Sequence, residues 1–132
     1  MSNTFDVTQL PDAPIVYVTL EEDYKVERDI QYSNKAALEV IIASDVPVIV
    51  INEFRMKMTF DELLMGTQLV AVGDDALWRH PNISKVLLVT TDPTLYVAAA
   101  GLKSDTFGNM ELGVYNSREA AINAAKHMLE TA

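Results

Sequence analysis

Val46-Pro47-Val48-Ile49-Val50-Ile51 is apolar from end to end. A strand with one face in water alternates apolar and polar residues, whereas an unbroken run suits a parallel strand covered on both faces. Pro47 has no N–H to give to a ladder, so it belongs among the first residues of such a strand. A polar, basic connector follows, Asn52 to Met58, and then Thr59-Phe60-Asp61-Glu62. Thr59 and Glu62 have the spacing of a capping box, in which each side chain satisfies a free backbone N–H at a helix start. The stretch predicts a buried central strand, a loop at its carboxyl end and a long helix.

The helix is apolar on two sides. Phe60, Leu63, Leu64, Thr67, Val70, Ala71, Leu77 and Trp78 fall on one stripe. Met65, Leu69, Val72 and Ala76 form a second, roughly opposite. A helix apolar all round is usually buried. One face covers the sheet, and the other then needs a partner. Met65, Leu69, Val72 and Ala76 are therefore the candidate oligomer interface, with a symmetric homodimer as the default assembly and a protein partner as the other occupant. Gly73-Asp74-Asp75 is a candidate break in this helix, and Pro81 ends it at the latest.

The rest of the chain supplies the cover. Phe5 to Leu10 alternates, Pro11-Asp12-Ala13-Pro14 is a turn signal, and Ile15 to Leu20 is rich in β-branched residues. These predict an antiparallel hairpin with its first strand at an edge. A helix is expected from about Glu27 to Ser44, with Ile30, Ala37, Leu38 and Ile41 on one side and Asn34 as a polar interruption. Lys85 to Thr90 reads as another buried strand. Asp92-Pro93 reads as N-cap and first helical residue, with Leu95, Ala98, Ala99 and Leu102 as the face of a short helix. Met110 to Tyr115 predicts a last strand at an edge. Asn116 and Glu119 have capping-box spacing before a final helix with Ala121, Ile122, Ala125, Met128 and Leu129 on its stripe. The order β-β-α-β-α-β-α-β-α predicts an α/β fold around a mostly parallel central sheet.

Composition narrows the function classes. The 132 residues fit a single domain, 1–132, with room for a core, and 49% of them are hydrophobic. There is no cysteine, which removes disulfides and thiolate chemistry. A net charge of −9 opposes general electrostatic binding to nucleic acid or anionic membranes. No apolar run is long enough to span a bilayer and no secretory signal is read, so a cytoplasmic setting is expected. Two isolated histidines, His80 and His127, make no zinc pattern. No metal or cofactor is expected.

The opening hairpin, the Val/Ile strand leading into a capped helix, and the closing Gly113-Val114-Tyr115-Asn116-Ser117-Arg118-Glu119-Ala120-Ala121 together resemble the STAS domain and the SpoIIAA-like relatives of anti-sigma-factor antagonists. The resemblance spans Phe5 to Leu129 and rests mainly on the order of elements. It implies a SpoIIAA/STAS-like fold and a non-enzymatic regulatory role through protein contacts. In that family a serine after an acidic residue, at the start of the helix following the central strand, is phosphorylated. The matching place here reads Met58-Thr59-Phe60-Asp61, with threonine for serine and no preceding acid. The resemblance makes Thr59 the candidate phosphosite, and a phosphate there would meet free N–H groups at a helix N-terminus; read from the residues alone, Thr59 is a plain N-cap.

A second reading uses the carboxyl ends of the strands, where open α/β sheets bind ligands. Asn52, Glu53, Arg55, Lys57 and Asp92 are the candidate ligand or partner residues there, for a small ligand, an apolar one included. A third, enzymatic reading would gather Glu53, Asp61 or His80 as an acid–base group; nothing in their spacing requires it.

Overall fold

The architecture comes from a computed structural model, which describes residues 4–71, 77–95, 97 and 113–131. Strands β1 (Phe5–Gln9) and β2 (Ile15–Leu20) form the expected antiparallel hairpin, with Phe5 opposite Leu20 and Gln9 opposite Val16. Helix α1 (Val26–Ala43) leads to β3 (Val48–Phe54), and α2 (Phe60–Ala71) leads through a 3-10 turn (Leu77–Arg79) to β4 (Ile83–Val89). Residues 93–95 are helical, and β5 (Gly113–Tyr115) and α3 (Arg118–Thr131) close the chain. The sheet runs β1-β2-β3-β4-β5, and every pairing after the hairpin is parallel. It is a mostly parallel five-stranded α/β sheet with flanking helices.

Alternation along the strands sorts the core into two layers. Val16, Val18, Val48 and Val50 point to the side covered by α1, where Ala37 and Ile41 meet them. Val86 and Leu88 of β4 continue that side under Leu63 and Val70 of α2. Ile15, Tyr17, Ile49, Ile51, Leu87 and Val89 point the other way, onto Ala121 and Ala125 of α3. Helices α1 and α2 thus share one face of the sheet, and α3 covers the other. Burying each of these Val, Ile and Leu side chains contributes about 1.5–3 kcal/mol relative to exposure.

Several boundaries differ from the expectation. The central strand starts at Val48, and Val46 is exposed before it. It continues three residues past the apolar run, because Asn52 and Glu53 pair on both sides, with Val18 and Thr19 of β2 and with Leu88 and Val89 of β4. The connector is therefore shorter than Asn52 to Met58. The reciprocal box at α2 is present: Thr59 N donates to Glu62 Oε1 at 3.0 Å, and Glu62 N donates to Thr59 Oγ1 at 3.1 Å. At α3 the cap falls one residue later than read, since Ser117 Oγ accepts from Ala120 N at 3.1 Å. Asp92 caps its helical turn through Thr94 N, 3.0 Å away.

The wide stripe assigned to α2 also divides. Leu63 and Val70 are core, but Phe60 and Leu64 are 64% and 38% exposed. At about 100° per residue, Phe60 and Leu69 stand about a quarter-turn to either side of the direction that Leu63, Gly66 and Val70 share. The helix packs on α1 and the sheet through that narrower face. The helix is described over Phe60–Ala71, the candidate break at Gly73-Asp74-Asp75 lies outside the described residues, and Leu77 and Trp78 are in a 3-10 turn.

Candidate functional site

Asn52 and Glu53 are consecutive on β3, so their side chains leave opposite faces of the sheet. Both are buried, at 8% and 9% exposure. Glu53 is fully engaged. It accepts from the Tyr17 hydroxyl and from Arg55 Nε, and Arg55 also reaches Glu21 at 3.2 Å. The guanidinium of Arg118, at the start of α3, lies 4.4 Å from the centre of the Tyr17 ring, a distance at which cation and ring quadrupole attract. Burial alone would raise the Glu53 carboxyl, but the hydrogen bonds from Tyr17 and Arg55 outweigh it and hold the group below the usual range. The Tyr17 phenol is pushed up, by burial first and then by Glu53. Glu21 and Glu53 against Arg55 and Arg118 leave this cluster with no net charge.

Asn52 faces the other way, into a cavity between the sheet and helices α1 and α2. The cavity measures about 70 Å³. Its floor is Val18, Val50, Asn52 and Leu88; its roof includes Ile30, Leu63 and Gly66; Met56 and Met58 close one side, and Leu77 and Trp78 another. None of the described residues that line it is charged. Four lining residues carry an amide or hydroxyl group: Tyr24, Ser33, Asn34 and Asn52. The Tyr24 hydroxyl and Ser33 Oγ bond each other at 2.8 Å, and Ser33 Oγ donates to the Ile30 carbonyl at 3.1 Å. Burial pushes the Tyr24 phenol up to about 12, so it stays a neutral hydroxyl. Asn52 Nδ2 is different: among the described residues it is buried and has no hydrogen-bond partner.

The candidate residues read from sequence separate accordingly. Asn52 joins the cavity, while Glu53 and Arg55 belong to the cluster on the α3 face. Lys57 is exposed, and Asp92 is occupied as a cap. Thr59 is exposed at the α2 N-terminus with its hydroxyl in the capping box. Of the interface set, Met65 packs partly buried against the core and Leu69 is 49% exposed; Val72 and Ala76 lie outside the described residues, as do Asp74, Ala98, Ala99 and Leu102. His80 holds a turn, its Nδ1 accepting from Asn82 N at 3.0 Å, and Asn82 in turn donates to the Ile41 and Ser44 carbonyls at the end of α1. Tyr24, Ser33, Met56 and Met58 went unread as site residues, because only the packing of α1 and α2 over β3 brings them together.

Among the described residues no group of three or more His, Cys, Asp or Glu is placed to hold a metal ion, and no helix there is long and apolar enough to cross a membrane. No protein-family model matches the chain, and neither does any curated protein or solved structure.

Proposed function

We propose that this α/β domain is a non-enzymatic binding module that takes a small, largely apolar molecule between its sheet and helices α1 and α2. One observation carries the reading: an apolar cavity with no charged side chain among its described lining residues has the buried amide of Asn52 aimed into it. Ligand sites are typically apolar hollows with a few polar groups that fix orientation. The cavity lies at the carboxyl-end half of β3, where open α/β sheets bind ligands. The acids and bases nearby are tied to one another on the opposite face, which favours binding over chemistry. Xenon is a direct probe, since it enters apolar cavities in proteins. Xenon titration followed by methyl NMR should shift the Met56 and Met58 methyls and leave the methyls of Ala121 and Ala125 in place. Unmoved Met56 and Met58 methyls at the highest xenon pressure would count against the reading.

A second reading, a regulatory domain of the SpoIIAA/STAS kind acting through protein contacts, is favoured by large apolar side chains standing exposed on α2, Phe60 and Leu64 on one flank and Leu69 on the other. In it the flank of α2 that carries Phe60 and Leu64, with Leu69 exposed on the opposite flank, forms a homodimer seam, and Thr59 is the candidate phosphosite. Solution mass by light scattering, over a range of protein concentrations, decides the first part: a stable dimer supports it, and a monomer at the highest concentration removes it. An added phosphate in the intact mass of protein from its source cell is the check on Thr59. Both readings take the domain to work in the cytoplasm.

A further inference from the structure

The chemistry of the cavity also narrows the ligand. We infer that the ligand is a small, uncharged carbonyl compound that accepts a hydrogen bond from Asn52 Nδ2; the inference rests on the ligand-binding reading above. A primary amide N–H₂ donates and cannot accept, so the matching atom on the ligand is an acceptor. The hydroxyls of Tyr24 and Ser33 already satisfy each other, with the Ile30 carbonyl taking the remaining bond. Asn34 is only partly buried, so water can serve its amide, and a single acceptor oxygen answers the one buried donor that the described residues leave unmet in this cavity.

Charge excludes the commonest oxygen acids. A carboxylate or phosphate in the cavity would find no lysine, arginine or histidine among the described residues of its walls. It would enter a chain of net charge −9 and lose its hydration with no cation in return. Glu53 and Arg55, the nearest charged pair in sequence, bond each other and face the α3 side. The volume sets the size. An engineered cavity of about 150 Å³ holds benzene, so about 70 Å³ suits a molecule of roughly three to five heavy atoms.

Three probes of the same shape test this on the intact protein. Butanone carries the carbonyl, 2-methyl-1-butene replaces its oxygen by carbon, and propionate replaces a methyl group by a charged oxygen. Affinities come from methyl NMR titrations of the wild type and of Asn52→Leu, which keeps the number and branching of side-chain heavy atoms, removes the donor and, being bulkier, narrows the cavity for both neutral probes alike. Because butanone is better hydrated than the alkene, the informative quantity is the change in their affinity ratio between the two proteins. Asn52→Leu should weaken butanone relative to the alkene by about fivefold, or about 1 kcal/mol, and propionate should not compete with butanone. A ratio that is the same in both proteins, or propionate binding as tightly as butanone, overturns the inference and leaves the ligand-binding reading standing. Binding of neither butanone nor the alkene overturns both. A measurement on the wild type alone guards against a variant that does not fold. The carbonyl ¹³C resonance of bound butanone should lie downfield of its position in cyclohexane, and an unchanged position is a second overturning result.

Discussion

Among the described residues, Asn52 is where stability is given up. Leaving a buried donor unmet costs about 1–3 kcal/mol, more than a made hydrogen bond returns. Asn52→Leu has the same branching without the donor, and its bulkier methyls have the cavity beside them, so it should raise the unfolding free energy by about 1–2 kcal/mol. Urea denaturation of the two proteins measures this, and a variant less stable than the wild type would mean that the amide is already satisfied. Asp29 is the opposite case. Its carboxylate accepts from Arg28 and from Lys25 N at the start of α1, with Thr4 adding a bond, and it is held at about 2 against an ordinary 3.8. A carboxyl lowered by folding stabilises the fold fully above its unfolded pKa, and that contribution disappears as pH falls toward the folded value. Between wild type and Asp29→Asn, the difference in urea midpoint should be constant above about pH 5 and shrink from pH 4 to pH 2. A difference that stays level through that window would assign the stabilisation to something other than ionised Asp29.

At the scale of elements, what was readable in the chain and what was not follows from the kind of signal each residue carries. Ile15 to Leu20 is β-branched at four of six positions and bounded by a turn, so β2 was legible to the residue. Thr59 and Glu62 announce the start of α2 through a short-range pairing that survives in the fold. Asn52 and Glu53 were misread as loop because polarity ends an apolar run whether or not the strand ends. Their burial depends on the registers of β2 and β4, which no local pattern encodes. The cavity was illegible for a related reason. It arises where α2 crosses α1, at Gly66, whose nearest neighbours are Val26 and Ile30. An added Cβ at Gly66 would lie 3.7 Å from Val26 Cγ1 and 3.9 Å from Ile30 Cδ1, ordinary contact distances. Gly66→Ala should therefore gain most of the 0.8–1.0 kcal/mol, or about 1 kcal/mol, that separates the two residues in a helix interior. It also places a methyl group against the cavity, so it should stabilise the protein while weakening xenon binding. Thermal unfolding and xenon titration of one variant test both effects, and a loss of stability would mean that α1 and α2 sit closer than described.

For the whole molecule, charge is the property that acts at longest range. Nineteen acidic residues face ten lysines and arginines, and compaction brings that excess together. The ion pairs that offset it are local. Arg55 with Glu21 and Glu53, Arg28 with Asp29, and Lys126 with Asp12 each have a partner at least 36% exposed, and pairs of that kind contribute about 0–1 kcal/mol each. Salt weakens both effects but not equally. Raising ionic strength from 0.01 M to 0.1 M shortens the screening length from about 30 Å to about 10 Å, which removes much of the repulsion between distant carboxylates and little of the attraction within a contact pair. Screening should thus favour the folded state, by on the order of 1 kcal/mol, and raise the melting temperature by a few degrees, about 3–5 °C for a domain of this size. Sodium chloride suits the measurement because, unlike sulfate, it does little to strengthen apolar burial at these concentrations. A melting temperature that falls with salt would reverse the ranking: the contact pairs, with Glu53 held between Tyr17 and Arg55 foremost, would then outweigh the net charge in holding the fold.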